Sequence, residues 1–316
     1  IARLDSDLDE LLACTYVGGS DGWYDDLFAI DTDKAGNVYV AGNTRARNYP
    51  VQYDSYDTSY NGGETDGVIS KFSSDLTTLK ASTFIGGRSA DFIYCMVLGK
   101  NGTVYAAGRT SSSDLPATKG AYDVDYDDDD DGFIAMLDSN LKTLQALTYV
   151  NGPNQNEDIV FGLDVDSASR VYVTGRTASK DFPTTPGAYD TEYAAGGDDV
   201  FVCRFSPDLS SLQKSTLLGD DQDDRGYACS VDDTGGISIA GFTWMGYDFP
   251  VSGNAAYNDY RGGYKDAFLV RFDQQLSSLL YSTFIGGSEV EEATALAVNS
   301  AGAAIVTGWT ESVDFP

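Results

Sequence analysis

The hexapeptide STFIGG occupies Ser82–Gly87, and near copies stand at Cys14–Gly19 (CTYVGG), Leu147–Gly152 (LTYVNG), Ser215–Asp220 (STLLGD) and Ser282–Gly287 (STFIGG again). Their threonines, at 15, 83, 148, 216 and 283, are 68, 65, 68 and 67 residues apart, so the chain carries five units of about 67 residues. A fixed period of tens of residues signals a repeat architecture. Within a unit, four short β-like runs follow one another, each bounded by Gly, Asn, Asp or Pro. In the last complete unit they are YACSVDD (227–233), GISIAGFT (236–243), AFLVRFD (267–273) and LLYSTFIGG (279–287). Four antiparallel strands per repeat describe a propeller blade. Solenoid coils, the competing architecture, repeat every ~20–50 residues and need no four-strand meander.

The expected fold is therefore all-β: a single five-bladed β-propeller over 1–316, four antiparallel strands to a blade. Four blades fall at about 25–83, 91–148, 158–216 and 224–283. The fifth is shared by 1–16 and 291–316. IARLDSDLDELL at the start matches the third and fourth strands of a unit (IAMLDSNLKTL, 134–144), and the stretch from Glu291 carries only the first and second. Joined, the two would close the ring and remove two open sheet edges.

Composition narrows the function. A net charge of −29 disfavours nucleic acid and anionic membranes as partners, because phosphate binding needs clustered Lys and Arg. Cations are the natural counter-partners, although such acidity also serves solubility. No apolar run approaches the ~18 residues that span a bilayer, and the first residues lack the basic n-region of a signal peptide. There is no histidine, which removes Ser-His-Asp and Cys-His catalysis and imidazole metal sites. Cys14, Cys95, Cys203 and Cys229 form no CxxC pair and read as small buried thiols rather than a zinc site. Carboxylates leave a two-acid glycosidase open by residue type, and five-bladed propellers host such enzymes, but that is fold analogy.

Aligning the units exposes columns. One reads Asp25, Asp91, Asp158, Asp224, Glu291, always acidic, and four residues on stand Ala29, Cys95, Gly162, Ala228 and Ala295, always small, as expected near a crowded axis. The acids would ring one mouth of a central channel, either around a cation or, the reading preferred here, as turn caps and acceptors of backbone N–H groups. The long connection between second and third strands, KDFPTTPGAYDTEYAAGGDDVFVCRF at Lys180–Phe205, reads mostly as carpentry. Pro50, Pro116, Pro183, Pro250 and Pro316 mark the end of each second strand. Tyr56, Tyr122 and Tyr189 are expected to pack this flap over its blade, and Asp66, Asp131, Asp199 and Asp266 precede each third strand. One copy departs from the template: DYDDDDDGF creates Asp127-x-Asp129-x-Asp131-Gly132, the first half of an EF-hand-type calcium loop. Asp138 occupies its twelfth position but is separated by a strand of five residues, roughly 16 Å, so the half-site would be completed by carbonyls or water.

These motifs, STFIGG…AxAVDxxGxxYVTGxTxSxDFPTTPGAYD…YxGGxDAFVxRF, resemble the SBBP-type β-propeller repeat of secreted and surface-layer-associated bacterial and archaeal proteins. The resemblance covers essentially the whole chain and is densest at 158–206. It implies a propeller in an extracellular setting and brings no catalytic residues; the family's name is associated with seven blades, where this chain supplies five units. The chain is thus read as a non-enzymatic, extracellular or cell-surface structural or adhesive module, stabilised by calcium, that assembles with itself or with other surface proteins. The alternative is a lectin-like propeller binding glycans, with Trp23, Trp244 and Trp309 as stacking candidates.

Overall fold

The computed structural model describes residues 1–21, 24–127, 130–153, 156–299 and 302–316. All twenty of its regular elements are strands. The chain opens on β1 (Ala2–Leu4) and β2 (Leu11–Cys14), a two-stranded sheet. Four blade-like sheets follow: β3 (Asp25–Thr32), β4 (Val38–Thr44), β5 (Asp66–Phe72) and β6 (Leu79–Ile85); β7 (Asp91–Leu98), β8 (Val104–Thr110), β9 (Asp131–Leu137) and β10 (Leu144–Val150); β11 (Asp158–Val165), β12 (Val171–Thr177), β13 (Asp199–Phe205) and β14 (Leu212–Leu218); β15 (Asp224–Val231), β16 (Ile237–Trp244), β17 (Lys265–Phe272) and β18 (Leu279–Ile285). The chain ends with β19 (Glu291–Val298) and β20 (Ala304–Thr310), again a two-stranded sheet. Every sheet is a meander of sequence neighbours, so the fold is all-β and propeller-like at the level of its repeating sheet.

The strands divide between two compact units, Ile1–Lys119 with Phe133–Thr148, and Gly120–Gly132 with Tyr149–Pro316. In the second unit, Val200, Val202, Ile237, Ile239, Phe268, Val270, Phe272 and Phe284 form one buried cluster. In the first, Val38, Val40, Phe72 and Leu76 form one, with Ile1, Ala13 and Val17 packed on it. In the first complete blade the second and third strands, β4 and β5, are buried along their whole length, which explains why they read as near-continuous apolar runs.

Two local devices repeat. The first strand of each blade carries a bulge, between Val160 and Gly162 in β11 and between Gly226 and Ala228 in β15, and opposite it stands the glycine of the second strand. The turn from third to fourth strand places a leucine in the left-handed region: Leu76 at φ 59°, Leu141 at 57°, Leu209 at 57°, Leu276 at 52°. A β-branched or bulky side chain there is uncommon, and burial of these four leucines offsets the backbone cost. The carbonyls of three of them accept the amide of a flap tyrosine from the preceding repeat, Tyr56 to Leu141, Tyr122 to Leu209 and Tyr189 to Leu276, each at 2.8 Å. The Tyr122 and Tyr189 rings meet Phe205 and Phe272 edge-on, at 5.6 and 5.5 Å. The flap therefore staples one blade to the next, joining residues 85 to 87 positions apart, while it also bonds the fourth strand of its own blade, as where Phe84 donates its amide to the Asp57 carbonyl.

The expected joining of the chain ends into a fifth blade is not confirmed: β1–β2, in the first unit, and β19–β20, in the second, are separate two-stranded sheets, and β20 is exposed almost throughout. Each has half the strands of a blade. Cys14, on β2, is exposed and Cys95 partly so, whereas Cys203 and Cys229 are buried; the expectation of uniformly buried thiols holds for two of four.

Candidate functional site

The acidic column opens each first strand: Asp25, Asp91, Asp158, Asp224 and Glu291 are the first residues of β3, β7, β11, β15 and β19. All but Asp25 are fully buried. Each carboxylate accepts a backbone amide from the end of the preceding fourth strand: Gly19 at 3.0 Å, Gly87 at 2.7 Å, Gly152 at 2.8 Å, Asp220 at 2.7 Å and Gly287 at 2.8 Å. Hydroxyls from the end of the second strand complete the grip, Thr44 on Asp25 and Thr310 on Glu291 at 2.5 Å, Thr110 on Asp91, and Ser112 and Ser179 at 2.9 Å on Asp91 and Asp158. The column is thus a clasp that ties each fourth strand to the blade after it.

A second acidic column, at the start of each third strand, lies beside the first. Asp66, Asp131, Asp199 and Asp266 are at most 1% exposed. One oxygen of each accepts a flap amide, from Asn61 at 2.6 Å, Asp127 at 3.1 Å, Ala194 at 2.9 Å and Arg261 at 2.5 Å. The other oxygen of Asp66, Asp199 and Asp266 has no hydrogen-bond partner. Burial pushes these carboxyls far above the usual range, Asp66 to about 8 and Asp199 and Asp266 to about 7, with neighbouring carboxylates adding to the effect. Sequence alone located this column as the residue before a strand and assigned it no chemistry; its invariance across four repeats was the available signal.

In the departing copy, Asn151 donates from Nδ2 to Asp131 at 3.0 Å and to Asp127 at 3.2 Å. Two acids of the calcium-type half-site are therefore joined by an amide. Asp129, its third member, lies outside the described residues, as does Trp23. Asp138 accepts the amides of Lys142 and Thr143 and closes the turn between β9 and β10. Among the described residues no group of three or more carboxylates or thiols is arranged to hold a metal ion.

No family model and no curated protein matches the chain. Solved structures do resemble it. A protein of unknown function from Dyadobacter fermentans is 12% identical, with 95% of this chain and 78% of that one covered and a TM-score of 0.45. A mannose phosphorylase from Leishmania mexicana, in complex with phosphate, is 12% identical over 95% and 83%, with a TM-score of 0.42. A polysaccharide lyase acting on ulvan is 9% identical over 89% and 65%, with a TM-score of 0.42. At these values no chemistry is carried across.

The two described tryptophans have different surroundings. Trp244 is half-buried beside Tyr264, 5.9 Å between rings, with the Lys265 ammonium 5.4 Å from the indole, while Trp309 is exposed on β20 next to Phe315. An aromatic column that sequence comparison passed over stands on the first strands instead. Phe28 meets Tyr94 edge-on at 5.9 Å, Tyr94 stacks on Phe92 at 6.0 Å, and in the second unit Phe161 meets Tyr227 at 5.2 Å. In the first unit these rings and Tyr24 line a cleft of about 270 Å³ with Asp26, Asn43 and Arg45 on its walls. No helix of the described residues is long and apolar enough to cross a membrane.

Proposed function

We propose that this chain is a non-enzymatic extracellular or cell-surface interaction module: a calcium-stabilised repeat unit of a larger surface or fibrous assembly, built on propeller blades. The observation that carries this reading is the pair of half-blades. Among the described residues β20 pairs with β19 and β1 with β2, so each pair carries half the strands of a blade. In the complete blade Val171 faces Phe205, Tyr172 faces Arg204 and Val173 faces Cys203. By the repeat, Ala304 would face Leu4, Ile305 Arg3 and Val306 Ala2. Strand addition of one copy's β1–β2 to another's β20 would complete a blade at each junction and cover Ile305, Trp309, Leu4 and Leu11, all exposed in the single chain.

Calcium enters this reading at Asp127, Asp129 and Asp131, where the oxygen-rich half-site suits a hard cation. Chelation is expected to lower the melting temperature of the wild type by several degrees, since a ligand at 100 times its dissociation constant stabilises by about 2.7 kcal/mol. Asp127→Ala should melt at the same temperature with and without chelator. Differential scanning calorimetry in calcium and in EDTA decides it; identical wild-type curves would remove calcium from the account.

The aromatic cleft of the first unit favours a second reading, glycan binding, since sugar rings stack on exposed aromatic faces rimmed by polar groups. A glycan array should then show hits that Tyr94→Ala abolishes. An array without hits leaves assembly as the function.

A further inference from the structure

The two acidic columns meet at the glycine that ends each fourth strand. A methyl group added at Gly86 would lie 2.9 Å from Asp66 Oδ1 and 3.0 Å from Asp91 Oδ2, and one at Gly219 would lie 3.0 Å from Asp199 Oδ1 and 2.8 Å from Asp224 Oδ2. At Gly286 it would lie against Asp266 Oδ1 and 3.1 Å from Glu291 Oε2. Three times, then, an oxygen of a third-strand aspartate and an oxygen of the next blade's first acid converge on one buried point. In each case the aspartate oxygen is one of those without a hydrogen-bond partner, on a residue buried to 1% exposure or less. The first-column oxygens, by contrast, already accept the amides of Gly87, Asp220 and Gly287.

Two ionised carboxylates facing one another away from water repel strongly, and an orphaned buried acceptor is costly in itself. A proton on the orphaned oxygen removes one charge and turns that oxygen into a donor, meeting both demands at once. The fourth copy differs. Asn151 replaces the glycine, and its amide donates at 3.0 Å to Asp131 Oδ2, the oxygen that also accepts the Asp127 amide. There a carboxamide side chain stands beside the third-strand aspartate in place of the bare glycine.

We propose that Asp66 with Asp91, Asp199 with Asp224, and Asp266 with Glu291 each hold one proton at neutral pH, seated on the orphaned aspartate oxygen, and that these pairs make the fold less stable as the solution turns alkaline. The surrounding charges favour it. Asp66 is faced by Asp57 and Asp91, and Asp91 by Asp114. Asp199 is faced by Asp190, Asp220, Asp224 and by Asp198, the last paired to Arg176 and Arg225. Asp266 is faced by Glu291 and by one cation, Arg261. The upward displacement of Asp66, Asp199 and Asp266 has the same direction.

A carboxyl raised on folding binds its proton more tightly in the native state than in the unfolded chain. Its contribution is fully present below the unfolded value, ~4, and is lost as pH rises through the folded value. The acids lowered on folding, such as Asp75 and Asp208 at about 2, act in a separate window below pH ~4. Melting in EDTA is therefore expected to fall by roughly 5 °C or more between pH ~5.5 and pH ~8.5. The triple variant Asp66→Asn, Asp199→Asn, Asp266→Asn, whose carboxamides mimic the protonated acid, should lose most of that slope and melt above the wild type at the alkaline end. A wild-type melting temperature that is flat or rises over this range, or a variant with the wild-type slope, overturns the proposal. So does calcium raising the wild type, but not the variant, at pH ~8.5, which would make the pairs a cation site. Should the variant not fold, infrared spectroscopy of the wild type decides: the C=O stretch of protonated carboxyl groups is expected at neutral pH, and its absence overturns the proposal.

Discussion

Replacing Gly175 or Gly241 with alanine is expected to cost about 3 kcal/mol or more, among the largest effects of any single methyl group in this chain. A Cβ at Gly175 overlaps the Ile159 carbonyl oxygen, and one at Gly241 overlaps that of Arg225. Gly42, Gly108 and Gly308 meet the carbonyls of Asp26, Phe92 and Glu292 in the same way. The overlap arises because the first strand bulges opposite this glycine and presses its backbone inward. Neither side has a flexible end that could give way. Melting should drop by about 6–12 °C for either variant, with an unchanged urea m-value. In the two-stranded sheet at the end of the chain, Gly308→Ala should cost less, since β20 is exposed almost throughout. A shift at Gly175 within a degree of wild type would mean that the bulge is not held as described.

Asp91→Ala is expected to be nearly as damaging, at about 3–5 kcal/mol. It strips the acceptor from the Gly87 amide and from the hydroxyls of Thr110 and Ser112, leaving three donors buried around a cavity. Asp91→Asn keeps one acceptor oxygen in place and should recover much of the loss. The same truncation at Asp25, which is only half-buried, should cost less than half as much. Equal effects at Asp25 and Asp91 would show that burial does not set the strength of the clasp.

The strand pattern was legible because each blade is a local meander: period, strand order and the columns all follow from residues close together in the chain. What was not legible connects blades. Tyr122 donates to the turn of the next repeat, at Leu209, and no local pattern says so. Asp66 and Asp91 come from different strands of different blades, so the two columns were visible but their meeting at Gly86 was not. The first column was recognised as a set of hydrogen-bond acceptors, while its specific donors, a glycine amide and a threonine hydroxyl, required the fold. The shared fifth blade followed from matching strand types alone, and the two halves are seen here as separate two-stranded sheets that leave it unconfirmed.

Whether the half-blades are assembly surfaces is decided by cysteine cross-linking with Ala2→Cys and Val306→Cys, which the repeat places opposite one another, in a background of Cys14→Ser. Copies carrying one change each are mixed in calcium, oxidised, and sized by light scattering and denaturing gel. A disulfide-linked dimer is expected from the mixture and a ladder of longer species when both changes are on one chain, with chelation reducing the yield. A strictly monomeric species in millimolar calcium, with no intermolecular cross-link in either arrangement, would contradict assembly through the half-blades.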